Sequence, residues 1–138
     1  RRTADAELAD SIERLGVKTF LEFWQETPLI RSQKEITTNH RAFMQANRLK
    51  NTSAGLAKSL RQFGQGSAPN LWPEIGKLSM PALLITGEKD TKYTSIAQRM
   101  QKVLPNASHV SILNTSHMPH LEQSDSVEKA IKAFIAEQ

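Results

Sequence analysis

Cysteine is absent from the 138 residues. That excludes disulfides and thiolate-held metals, and the four histidines are scattered without an H-E-x-x-H spacing, so no metal site is expected. No apolar run approaches the ~18 residues that a bilayer-crossing helix needs, and no charged-then-apolar leader opens the sequence. The expectation is a cytoplasmic protein with no membrane span. Long Ser, Gln or Gly tracts are lacking too, and the length lies within the roughly 100–200 residues of one domain. Charge of one sign is only weakly in excess: 18 Lys and Arg against 14 Asp and Glu, net +4. With that excess spread along the chain, and with neither a basic run nor an RNP-like aromatic motif, no nucleic-acid partner is expected.

What is present changes character part-way along. Ala6, Leu8, Ala9, Ile12 and Leu15 recur at helical spacing before Gly16, and Phe20, Leu21, Phe23 and Trp24 form a second stripe that ends ahead of Pro28. Phe43, Met44 and Leu49, then Leu56, Ala57 and Leu60, predict two more helices before Gly64. Residues 1–66 therefore read as a helical subdomain, and GQGSAPNLWP, from Gly64 to Pro73, as a linker. In residues 67–138 the pattern becomes strand (Met80 to Thr86), helix (Ser95 to Leu104), strand (Ser108 to Leu113) and helix (Asp125 to Ala136). Asp125 and Glu128 stand at capping-box spacing for the last helix. Strand, helix, strand, helix predicts a parallel βαβ unit in an α/β fold. A continuous apolar strand such as ALLI is typical of the middle of a sheet covered on both faces, yet only two strands are in sight. The expectation is the C-terminal portion of a larger α/β protein, or one of two chains that assemble.

Asp90, in LLITGEKDTKY, lies just past the first strand, and His117, in LNTSHMPHLEQ, just past the second. In a parallel sheet both fall at the C-terminal edge, where open α/β sheets place ligand sites. The order acid then histidine matches the last two members of the Ser-Asp-His triad of α/β-hydrolases, in which the acid accepts the Nδ1 proton and leaves Nε2 to act on the serine. Each residue has a plainer reading: Asp90 as a turn former or helix cap, His117 as a solvent-facing loop histidine. The nearest approach to a G-x-S-x-G elbow is NTSAG, residues 51–55, with Asn51 in place of the first glycine and a helical pattern in front of it. Thr52 or Ser53 there reads as a helix N-cap. No serine of this chain is a credible nucleophile.

The stretches FLEFWQETPLIRSQ, NRLKNTSAGLAKSLRQFGQGSAPNLWPEI, PALLITGEKDTKY and HMPHLEQ resemble the 2-succinyl-6-hydroxy-2,4-cyclohexadiene-1-carboxylate synthases of menaquinone biosynthesis, particularly those of Gram-positive bacteria. The resemblance implies the C-terminal part of an α/β-hydrolase fold, with a helical cap and the last two parallel strands with their helices. It implies a lyase that eliminates pyruvate from a polycarboxylate precursor without hydrolysis, using the serine as a base, with no metal or organic cofactor. By position Asp90 would orient His117, and His117 would activate a serine on an N-terminal half outside this chain.

Because such a substrate is an anionic polycarboxylate, the cap needs guanidinium groups, which grip carboxylates in a bidentate fork. Arg1 and Arg48 match the family's substrate-facing arginines, and Trp24 an aromatic lining the same pocket. Arg48 also reads as a solvated helix arginine, Trp24 as core packing, and Arg2 could take the place of Arg1. The family often has glycine before the histidine where Ser116 stands here, which would strain the loop if φ had to be positive. His120 is assigned no chemistry. Two other functions fit the same residues: a serine esterase or carbon–carbon hydrolase of this fold, since fold and triad do not select the reaction, and a non-catalytic binding fragment.

Overall fold

The structure is a computed structural model that describes residues 2–138, apart from the side chains of Leu29 and Glu35. The chain forms two compact units, one from Arg1–Arg31 with Thr38–Asn70 and the other from Ser32–Thr37 with Leu71–Gln138.

The first unit is helical. It contains α1 (Arg2–Trp24), α2 (Pro28–Arg31), α3 (Thr38–Leu49) and α4 (Ser53–Phe63). Gly16 interrupts α1 with φ 77, a left-handed conformation that glycine adopts without a Cβ penalty. α1 and α4 pack together around Ile12, Phe20 and Leu21, with Leu8, Leu15, Trp24, Leu56 and Leu60 against them. Burying each large side chain contributes roughly 1.5–3 kcal/mol. Ala9 and Ala57 are fully buried, and small side chains at a helix contact suit close approach. The pair is also tied by polar contacts: Arg61 forks onto Glu13 at 2.9 and 2.7 Å and reaches Asp10 at 2.6 Å. Buried Asp5 accepts the Gly66 N–H at 2.9 Å. Thr52 caps α4 by accepting the Gly55 N–H at 3.1 Å, so the elbow-like NTSAG is a helix start.

The second unit contains a 3-10 turn (Ser32–Glu35) and then α5 (Trp72–Ile75), β1 (Ala82–Gly87), α6 (Thr91–Gln101), β2 (Ala107–Ile112), α7 (Pro119–Glu122) and α8 (Ser124–Ala136). β1 and β2 pair in parallel, Ala82 with Ala107 through Gly87 with Ile112, and α6 is the crossover between them. The ladder opens at Ala82, whose N–H donates to Asn106 O at 2.9 Å; Pro81 before it has no N–H to offer.

Three local expectations are corrected. α6 begins at Thr91, not Ser95, because Asp90 caps it. α5 lies partly inside the expected linker. The capping box of Asp125 and Glu128 does not form: α8 starts at Ser124 directly after Gln123, with no side-chain cap bond. Asp125 is then already inside the first turn, where its carboxylate cannot take the cap position.

Candidate active site

β1 ends at Gly87, and the turn Glu88–Lys89 brings Asp90 to the start of α6. The Asp90 carboxylate does two things at once. Its Oδ1 accepts the Tyr93 N–H at 3.2 Å, and its Oδ2 lies 2.6 Å from His117 Nδ1. The helix-cap reading and the histidine-partner reading are therefore compatible. An ionised carboxylate only accepts, so Nδ1 carries the proton and donates it to Asp90. That assignment leaves Nε2 as the basic nitrogen, and it makes no hydrogen bond among the described residues. The Asp90 side chain is 8% exposed and that of His117 28%, so His117 is not simply solvated. Tyr93 links the pair a second way: its ring packs on the imidazole, centroids 4.8 Å apart and tilted by 54°.

The first turn of α6 is fastened to β1 by hydroxyls. Thr94 Oγ1 donates to Gly87 O at 3.2 Å and lies 3.1 Å from Thr86 Oγ1, which is 2.8 Å from His109 Nε2. Gly87 itself is required by close approach: a Cβ there would overlap the Ser116 carbonyl oxygen and stand 2.6 Å from that of Thr115. The left-handed residue of the His117 loop is Asn114, at φ 58, a residue type that tolerates this region. Ser116 has no positive φ, so the absence of glycine before the histidine causes no strain.

Arg48 and Trp24 come together in the helical unit. The Arg48 guanidinium lies over the Trp24 ring, 4.9 Å from its centroid, and Phe20 stacks on Trp24 at 6.4 Å. These residues, with Leu8, Leu56 and Leu60, line a cavity of about 250 Å³. A second cavity of about 430 Å³ shares Leu8, Phe20 and Trp24. Arg48 is half-buried, and burial pushes its guanidinium below the usual arginine value. Trp24 is at once core packing and cavity wall. Arg1 lies outside the described residues. No group of side chains able to hold a metal ion occurs among the described residues, and none of their helices is long and apolar enough to cross a membrane.

No family model matches the sequence. A protein of Bacillus subtilis (strain 168) assigned by name to the 2-succinyl-6-hydroxy-2,4-cyclohexadiene-1-carboxylate synthases is 36% identical over 131 residues, which is 95% of this chain and 48% of the relative. The solved structure of MenH from S. aureus superposes with a TM-score of 0.95 at 34% identity, over 99% of this chain and 52% of that one. This chain belongs to the 2-succinyl-6-hydroxy-2,4-cyclohexadiene-1-carboxylate synthase family. It spans about half the length of the curated relatives it matches and corresponds to their C-terminal half. An esterase from Thermogutta terrifontis shares the fold at a TM-score of 0.81 and 20% identity, over 99% of this chain and 50% of that one. The architecture is thus part of an α/β-hydrolase fold.

Within this synthase-family chain, two participants escaped the sequence reading. Tyr93 touches both Asp90 and His117; its place three residues after a helix-capping Asp was the available signal. Glu122, in HMPHLEQ, binds backbone on either side of His117, and nothing in its spacing announces that.

Proposed function

We propose that this chain is the C-terminal part of a lyase that eliminates pyruvate from an anionic polycarboxylate cyclohexene precursor to give 2-succinyl-6-hydroxy-2,4-cyclohexadiene-1-carboxylate. Asp90 holds the His117 Nδ1 proton, and Nε2 takes the proton of a serine carried by the N-terminal half. The serine alkoxide then removes a ring proton of the substrate and is restored as the hydroxyl. The C–H electrons form a ring double bond as the C–O bond to the leaving group breaks, and the protonated imidazole gives its proton to the departing enolate, which leaves as pyruvate. No cofactor enters. Residues 1–66 serve as the cap and 67–138 as part of the hydrolase core. In the cap, Arg48 and Arg1 receive substrate carboxylates against Trp24, and a carboxylate stacked into that slot offsets the desolvation of the Arg48 guanidinium. The site of action is the cytoplasm.

The observation that carries the reading is the 2.6 Å contact of Asp90 Oδ2 with His117 Nδ1, beside family membership across 95% of the chain. The test is to combine the chain with an N-terminal half bearing a G-x-S-x-G elbow and measure pyruvate release. Pyruvate release by the combination, and none by the 138-residue chain alone, is the expected result. Faster turnover of p-nitrophenyl esters than of the synthase substrate would instead make this half of an esterase.

A further inference from the structure

The His117 loop is held by carboxylates at alternate backbone amides. The Asn114 N–H donates to Glu88 Oε2 at 2.9 Å, the Ser116 N–H to Glu122 Oε2 at 2.7 Å and the Met118 N–H to Glu122 Oε1 at 3.1 Å. Between them, Thr115 O accepts the Lys89 N–H at 2.9 Å, and the fully buried Thr115 hydroxyl donates to Ile112 O at 2.9 Å. The amides on both sides of His117 are thus gripped by the two oxygens of one side chain.

Part of this is ordinary capping. Met118 is the N-cap of α7, and Glu122, four residues on, reaches back to its N–H much as the N3 glutamate of a capping box does from one position earlier. The Ser116 bond is different. That amide lies outside α7 and has no part in starting a helix, yet it makes the shortest of the three bonds. Charge-assisted bonds from N–H to carboxylate are short and strong, and two of them span the residue whose ring must meet Asp90.

We propose that Glu122 is a positioning residue for His117: by chelating the amides of Ser116 and Met118 it sets the backbone from which the imidazole reaches Asp90, while Glu88 secures the same loop at Asn114. The inference rests on the role given to His117 above. Because both Glu122 oxygens accept, an amide cannot replace the carboxylate: its oxygen serves one N–H and its NH₂ confronts the other. Glu88 uses one oxygen, so glutamine can stand in for it.

The experiment follows amide exchange and the His117 Nδ1–H resonance by NMR on the full 138-residue chain, with the β2 ladder amides as reference. In the unsubstituted chain the Ser116 and Met118 amides are expected to exchange nearly as slowly as the ladder. Glu122→Gln is expected to free both and to broaden the Nδ1–H signal about as much as Glu122→Ala does. Glu88→Ala frees the Asn114 amide, and Glu88→Gln restores it. In the combined enzyme Glu122→Gln lowers kcat about 10- to 100-fold with KM little changed, the size of effect a small misplacement gives. Ser116 and Met118 amides that exchange as freely as unbonded ones in the unsubstituted chain overturn the proposal, whether or not any variant folds. So does a Glu122→Gln chain with protection and Nδ1–H signal intact. Failure of the unsubstituted combination to release pyruvate would count against the proposed function alone, since exchange and resonance need no substrate.

Discussion

In the helical unit the side chains that line the cavities also build the core: Phe20 and Leu21 are 7% and 5% exposed, and both border the cavity beside Arg48. In the βαβ unit the site residues Asp90 and His117 sit past the ends of β1 and β2 and are placed by hydrogen bonds to backbone and to each other. The difference teaches where stability and activity should separate. A site made of core side chains loses both together, whereas a site hung on loops by polar contacts can lose activity and keep its fold.

The sharpest break of that comparison is Asp90→Asn. Asparagine caps helices as well as aspartate, so α6 is expected to keep its start and stability to change by no more than ~0.5 kcal/mol. Its NH₂ would face Nδ1 and impose the wrong tautomer, so turnover of the combined enzyme is expected to fall about 10⁴-fold, as for the equivalent change in a Ser-His-Asp triad. Denaturant melts beside steady-state rates check this, and a parallel loss of both would erase the distinction. Next in size, Phe20→Ala is expected to cost about 3–5 kcal/mol in denaturant titration of the helical unit, while the His117 Nδ1–H resonance persists. Disappearance of that resonance would mean that the two regions are not separable.

Gly87→Ala tests a place in the βαβ unit where close backbone packing holds the site. The added Cβ meets the carbonyls of Thr115 and Ser116, so a loss of about 1–3 kcal/mol is expected, together with displacement of the His117 loop, read from the Ser116 amide shift. The smallest effect concerns charge. Arg61 hydrogen-bonds Glu13 and holds its carboxyl below the ordinary 4.5. A carboxyl lowered in the folded state adds stability that is fully present above its unfolded value and fades as pH falls through the folded one. The Arg61→Met chain is therefore expected to lose a shallow part of its stability slope below pH 4.5. The pair is solvent-exposed, so this effect should also shrink in high salt. An unchanged acid slope would show that α1 and α4 are held by their apolar contacts alone.

Much of this was legible from the linear pattern. The helical stripes and the break at Gly16, the two strands and their crossover helix, and the acid-then-histidine order all depend on neighbours a few residues apart or on general rules for parallel strands. The apolar run of β1 also announced too small a sheet, and the described residues hold two strands paired as β1–β2. The capping box at Asp125 misled because the same spacing occurs inside a helix as at its start, and only the chain arriving through Gln123 decides which.

By itself, then, the sequence determined the element types, the family and the pairing of Asp90 with His117 as candidates, because periodicity, turn residues and motif order are local. Tertiary structure decided that Asp90 caps α6 and meets His117 with its two oxygens, that Arg48 lies over Trp24, and that Glu122 grips both flanks of His117. Each of these depends on the direction of a hydrogen bond or ring contact, fixed to a few tenths of an ångström by strand register, loop conformation and packing that no spacing of residues encodes.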